Sequence, residues 1–71
     1  MARRKQWTWA ELAGERRRLG VRQADLTKAL GMSRPLISIR ENLGDVVAPE
    51  NEAAKYLDAV EAAAKGIPAD R

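Results

Sequence analysis

The chain of 71 residues contains no cysteine, no histidine and no phenylalanine, and only two tryptophans and one tyrosine. Without cysteine and histidine, disulfides, thiolate zinc sites and histidine metal ligands are excluded. We therefore expect no metal and no small-molecule cofactor. A chain without cysteine can fold in a reducing compartment, and we expect a cytoplasmic protein. A catalytic histidine, a catalytic cysteine and a phosphate-cradling glycine loop are also missing, so we do not expect an enzyme.

Long apolar segments are absent as well. No run approaches the roughly 20 apolar residues of a membrane-spanning helix, and the first residues lack the apolar segment of a signal peptide. We therefore expect no membrane partner. Apolar residues do not alternate with a period of two, and many of the 45% hydrophobic residues are alanines, which suit closely packed small helices. The sequence predicts an all-α fold.

Charge is distributed unevenly along the chain. Residues 1–40 carry ten Arg or Lys and three Asp or Glu, a net charge of +7, whereas residues 41–71 carry a net charge of −4. A basic half of this kind is typical of a surface that meets nucleic acid. The alternative is a solvated charged surface without a partner.

Capping and stop signals divide the chain into helices. Thr8 and Glu11 have the spacing of a capping box, which begins the first helix, and Gly20 ends it. Gly66, followed by Ile67 and Pro68, predicts a Schellman-type end of the last helix. The other predicted helices are about Gln23–Leu30, Arg34–Asn42 and Pro49–Lys65. We expect a basic arm at 1–6, one domain at 7–67 and a tail at 68–71.

The second and third predicted helices have the pattern of a helix-turn-helix. Leu26 and Leu30 share one face of the second helix, and Gly31 can adopt the left-handed conformation that ends it. Ser33 then offers an N-cap, and Ile37 points back toward the leucines. The pattern predicts a small bundle of four to five helices with a central helix-turn-helix, whose second helix enters the DNA major groove.

These residues also resemble the Cro-type (XRE) helix-turn-helix family of small phage repressors and bacterial regulators. The resemblance covers roughly Leu12 to Leu57, and it rests on Gln23, Leu26, Leu30, Gly31, Ser33, Ile37, Glu41 and Asn42. It implies a lambda-repressor-like fold and a transcriptional regulator that binds double-stranded operator DNA in a bacterial or phage-infected cell. At this length, a Cro-like phage repressor is the leading hypothesis. The chain departs from the family pattern at Arg22, where a Ser or Thr N-cap is usual, and at Ile39 and Arg40, which invert the usual polar-then-apolar order. The glycine expected just after Asn42 appears one residue later, as Gly44.

The side-chain chemistry and the helix positions indicate which residues contact DNA. Arg34 lies in the first turn of the third helix, where a guanidinium can bond O6 and N7 of guanine. The predicted base-contacting residues are Ser33, Arg34, Pro35, Leu36, Ser38 and Ile39. The predicted phosphate-contacting residues are Arg3, Arg4, Lys5, Arg22, Gln23, Lys28, Arg40 and Asn42. The family resemblance implies that Arg34, Pro35 and Ile39 face the bases. It alone implies the phosphate contact of Gln23 and the backbone contact of Asn42.

Several alternatives stay open at this point. Either Ile39 faces DNA while Arg40 reaches a phosphate or a carboxylate, or Ile39 enters the core and Arg40 lies outside. The oligomeric state is open between a monomer and a homodimer, and the operator sequence is undetermined. The second functional hypothesis is an antitoxin that binds a partner protein and represses its own operon. A recombination directionality factor is the third hypothesis. Such factors usually carry a β-hairpin wing after the recognition helix, and Gly44–Ala48, which follows the third predicted helix, is a poor hairpin sequence.

Overall fold

The computed structural model of the protein describes residues 6–66, which fold into four α-helices. They are α1 (Trp9–Arg18), α2 (Gln23–Leu30), α3 (Arg34–Glu41) and α4 (Glu50–Lys65). Within these residues the only β-type pairing is one isolated antiparallel bridge between Thr8 and Val47. The predicted all-α class is therefore confirmed, with four helices. The predicted contacts Arg3, Arg4 and Lys5, and most of the predicted arm and tail, lie outside the described residues.

The start of α1 has the predicted capping box. The Glu11 N–H donates to Thr8 Oγ1 over 3.2 Å, and the Thr8 N–H donates to Glu11 Oε1 over 2.9 Å. The two residues thereby satisfy two of the backbone donors that a helix leaves free at its N-terminus.

Thr8→Ala is expected to lower the free energy of unfolding by about 1 kcal/mol, because it removes the oxygen that caps α1. Urea denaturation followed by circular dichroism measures the change. Thr27→Ala is the matched control, since the Thr27 hydroxyl only donates to the Ala24 carbonyl within α2. A change in DNA sequence preference caused by Thr8→Ala would contradict its purely structural role.

The turn between α2 and α3 follows the sequence pattern. Gly31 has φ +66°, in the left-handed region, and its N–H donates to the Thr27 carbonyl. The Ser33 hydroxyl then accepts a hydrogen bond from the Leu36 N–H over 3.4 Å, and Pro35 occupies the first turn of α3. Both elements of the predicted helix-turn-helix are thus present at the predicted positions.

The core lies where the four helices meet. Leu26 and Ile37 are fully buried, as their pattern predicts, together with Leu12 of α1 and Val60 of α4. α2 packs against both α3 and α4, and α1 packs against the same two helices. α3 therefore has one face fixed in the core and leaves the other outside.

The connection between α3 and α4 is tied to the start of α1. The Trp9 N–H donates to the Val46 carbonyl over 3.1 Å, and the Ala10 N–H donates to the Gly44 carbonyl over 2.9 Å. Gly44 has φ +63°, which suits its predicted place in a turn. These two backbone hydrogen bonds hold the connection that follows α3 against the N-terminus of α1.

The end of α3, the start of α4 and the cap of α4 differ from the prediction, whereas α4 ends at Lys65 as predicted. α3 ends at Glu41, with Asn42 as its C-cap, so the predicted helix 34–42 is one residue too long. Gly66 caps α4 at φ −91° rather than in the left-handed conformation, so the predicted Schellman end is wrong. There the backbone keeps a right-handed turn, and the Gly66 N–H donates to the Ala63 carbonyl over 3.1 Å. Pro49 is the N-cap of α4, which begins at Glu50.

Among residues 6–66, no helix combines the length and the apolar character that crossing a membrane requires.

Candidate nucleic-acid interface

The outer face of α3 presents most of the predicted base-contacting residues. Ser33, Arg34, Pro35 and Leu36 are exposed, and Ile39 is 61% exposed, whereas Ser38 is half-buried. The opposite face is fixed by buried Ile37 and Glu41. The structure therefore resolves the alternative left open by the sequence: Ile39 faces outward rather than into the core.

Arg40 lies at the side of α3 and has a protein partner. Its Nη1 is 3.1 Å from Glu52 Oε1 of α4, and both side chains keep a third or more of their surface exposed. Of the two roles considered for Arg40, a phosphate contact or a carboxylate pair, the structure shows the carboxylate pair. The positive charge at this edge of α3 is thus partly neutralised.

A basic cleft forms where α2 begins and α3 begins. Its lining residues are Arg16, Arg22, Gln23, Ala24 and Arg34. It brings together three residues that the sequence nominated separately: Arg22 and Gln23 for phosphate, and Arg34 for bases. The Arg22 N–H donates to the Asp25 carboxylate over 2.8 Å, which is the N3 half of a capping box. The Asp25 N–H, which a Ser or Thr N-cap would accept, donates to the Arg22 carbonyl over 2.9 Å instead.

The remaining predicted phosphate contacts lie outside this cleft. Lys28 is exposed on α2, and Asn42 is exposed at the C-terminus of α3. An exposed lysine and an exposed amide are both able to donate to phosphate oxygens. Both residues lie toward the C-terminal ends of their helices, away from the basic cleft. A phosphate that either of them contacted would therefore be a different phosphate from one bound in the basic cleft.

A buried polar network below the basic cleft was not predicted from sequence. Arg16 Nε and Nη2 donate to the two oxygens of the Glu41 carboxylate, each over 2.9 Å. Arg16 Nη1 also donates to the Val21 carbonyl over 3.0 Å. The same carboxylate accepts hydrogen bonds from Gln23 Nε2, over 3.0 Å, and from the Tyr56 hydroxyl. Glu41 therefore joins all four helices.

One sequence feature could have revealed this network. Glu41 follows Ile37 by four residues, so it occupies the buried face of α3, where a carboxylate requires a cation. Arg16 likewise follows Leu12 by four residues on the buried face of α1. Two opposite charges at core-facing positions indicate a buried pair, although their spacing does not show that they meet.

The environment shifts the ionisation of the network. Burial by itself raises the pKa of the Glu41 carboxyl, but the hydrogen bonds from Arg16, Tyr56 and Gln23 outweigh burial and leave that pKa below its usual value. The pKa of the Tyr56 hydroxyl is raised, first by burial and then by its hydrogen bond to Glu41. Near neutral pH, the network therefore holds a carboxylate and a protonated phenol.

The free energy of unfolding is expected to be constant near neutral pH and to fall at both acidic and alkaline pH. Because folding lowers the pKa of Glu41, its contribution is lost as the pH falls below about 4.3, the ordinary glutamate pKa. Because folding raises the pKa of Tyr56, its contribution is lost as the pH rises above about 10. Urea denaturation at a series of pH values measures both changes. Tyr56→Phe should remove the alkaline decrease, whereas Glu50→Gln, at an exposed position, should leave both unchanged. An alkaline decrease that persists in Tyr56→Phe would contradict the assignment.

Exposed apolar side chains continue beyond the predicted contacts. Leu36 and Ile39 were predicted to contact bases, but Leu43, Val46 and Val47 were not nominated, and each of these is 44% exposed or more. The latter three lie after α3, in the connection to α4. An exposed apolar segment at this position is available to a partner molecule.

Comparison of the chain with protein-family models, with curated proteins and with solved structures finds no match.

Proposed function

We propose that the protein is a sequence-specific regulator of transcription that binds double-stranded DNA, in the manner of a Cro-like phage repressor. The observation that supports this most strongly is the placement of Arg34. It is exposed on the first turn of a helix whose other face is fixed in the core, and it shares a basic cleft with Arg22 and Gln23. A rigid helix with a guanidinium at its N-terminal end is the arrangement that reads major-groove edges.

In this proposal, different residues provide affinity and specificity. Arg22, Gln23, Lys28 and Asn42 bind phosphates, which positions α3 without selecting a sequence. Arg34 bonds the O6 and N7 atoms of a guanine, and Ser33, Pro35, Leu36, Ser38 and Ile39 lie against the neighbouring bases. A protein bound in this way across a promoter represses it by occlusion.

Selection from a pool of random DNA duplexes at two salt concentrations tests the proposal. We expect one enriched sequence, with an affinity that falls on a logarithmic salt scale by about 0.9 per phosphate neutralised. Light scattering of the protein, free and bound, then shows whether one copy or two occupy the site. Salt-sensitive binding without any enriched sequence would contradict a sequence-specific regulator.

The exposed residues after α3 favour a second candidate function. An antitoxin uses one surface to bind its partner protein and another to bind DNA, and Leu43, Val46 and Val47 form an apolar segment outside α3. Binding that depends on salt but prefers no sequence would also contradict repression of its own operon, and would leave the partner-binding surface as the supported part of this candidate.

A further inference from the structure

We infer that the outer face of α3 recognises thymine methyl groups, so that the operator is defined by thymines beside a guanine. The inference rests on the proposed function, because it concerns what the same helix reads in DNA. It starts from two residues, Leu36 and Ile39, which are 42% and 61% exposed. They are three positions apart on one helix and therefore lie on the same face.

These two side chains have no hydrogen-bonding groups, so they cannot distinguish bases by their donors and acceptors. The only apolar group in the major groove of unmodified DNA is the C5-methyl group of thymine. Burying Leu36 or Ile39 against any other base edge would cover polar atoms without bonding them, which costs free energy. Contact with a methyl group instead buries apolar surface on both sides.

Charge complementarity favours an anionic partner for this face, and the DNA duplex of the proposed function is such a partner. Glu41 is the only acidic residue of α3, and it is buried in the network with Arg16. The exposed residues of α3 therefore carry no carboxylate. Arg34 lies on the first turn of the same helix, on a different side from Leu36 and Ile39, in the basic cleft with Arg22 and Gln23. A DNA major groove offers methyl groups at its floor and phosphates at its rims, which matches an apolar face without exposed carboxylates on a helix that begins at a basic cleft.

Helix geometry gives the spacing of the bases. Ile39 is five positions after Arg34, a rise of about 7.5 Å along the helix axis. Successive bases on one strand are about 3.4 Å apart. With α3 lying along the major groove, Ile39 is therefore about two base pairs beyond the guanine that Arg34 contacts. Leu36 lies between them. The enriched sequence should therefore contain a guanine with a thymine about two base pairs away on either strand.

Substitution of deoxyuridine for thymine tests this, since it removes only the methyl group. The probe is the duplex enriched by the wild-type protein, resynthesised with deoxyuridine at each thymine in turn and titrated by fluorescence anisotropy. At one or two positions, the wild-type protein should lose about fourfold in affinity, the effect of about one CH₂ equivalent of buried surface. Loss at no position, with the preference for the sequence retained, would overturn the inference and leave the proposed function standing.

The variant Ile39→Ala tests whether Ile39 is the residue that contacts the thymine methyl group. On the thymine duplex the variant should bind more weakly than wild type, and deoxyuridine at the matching position should weaken it no further, which is the non-additivity expected for two groups in contact. Leu19→Ala is the matched control: Leu19 is 37% exposed but lies at the end of α1, outside α3, so both affinities should stay at the wild-type values. Additive losses in Ile39→Ala would contradict the contact.

Two further outcomes are decisive. A wild-type dimer in solution that Ile39→Ala converts to a monomer would show that a second copy of the chain covers this face, and would overturn the inference. A pool that yields no enriched duplex would reject the proposed function itself, and the inference with it.

Discussion

Glu41→Ala is expected to lower the free energy of unfolding by about 3–5 kcal/mol, the usual cost of removing one partner of a buried ion pair. The substitution leaves the Arg16 guanidinium buried without its carboxylate, and it also removes the acceptor for Gln23 and for the Tyr56 hydroxyl. A loss of this size is comparable with the whole stability of so small a domain. We therefore expect the variant to be largely unfolded at 37 °C.

Urea denaturation and thermal melting followed by circular dichroism measure this loss. The double variant Arg16→Met with Glu41→Leu should recover part of the stability, because it replaces both charges with apolar side chains of similar size. The recovery is partial because the Tyr56 hydroxyl, Gln23 and the Val21 carbonyl still lose their partners. Glu50→Ala, which removes an exposed carboxylate, is the matched control and should change little. A loss below about 1 kcal/mol in Glu41→Ala, the range of an exposed ion pair, would contradict the central role of this network.

Arg34→Ala is expected to lower affinity for the selected operator by about 1–3 kcal/mol, or roughly 5- to 150-fold, through the loss of one bidentate contact with guanine. The loss should be confined to one position, so that the variant no longer distinguishes bases there while its preferences elsewhere remain. Arg34 is exposed, so we expect its removal to leave folding intact. Repeating the selection with the variant measures the change directly.

Arg22→Ala is the comparison that separates base recognition from phosphate binding. Arg22 lines the same basic cleft, and its loss should weaken binding to all sequences about equally and reduce the logarithmic salt slope by about 0.9. Arg17→Ala, an exposed arginine on α1, should have little effect on the sequence preference. An equal loss on all sequences in Arg34→Ala would show that Arg34 also contacts only phosphate.

Much of the fold could be predicted because its signals are local. The bounds of α2 and the left-handed Gly31 follow from residues within a few positions of each other. The same holds for the capping box of α1, whose two hydrogen bonds join residues three apart. The end of α4 at Lys65 was predicted correctly, but the conformation of its cap was not, because glycine allows a left-handed cap without requiring one, and Gly66 keeps a right-handed turn.

The candidate site was predictable only in part. Arg34, Pro35 and Leu36 are exposed, as base-contacting residues must be, because the N-terminal turn of α3 follows directly from the Ser33 cap. Whether Ile39 or Arg40 lies outside depended on the rotation of α3 about its axis. That rotation is set by contacts of Ile37 and Glu41 with residues far away in the chain.

The sequence by itself determined the all-helical class, the helix-turn-helix positions and the basic character of the first forty residues, since each depends on neighbours in the chain. Only the tertiary structure decided that Arg16 pairs with Glu41, 25 residues away, and that Arg40 pairs with Glu52 of α4. It also decided that Arg22, Gln23 and Arg34 meet in one cleft. Helical periodicity tells which side chains face inward, but which inward and outward groups meet depends on how the helices pack together.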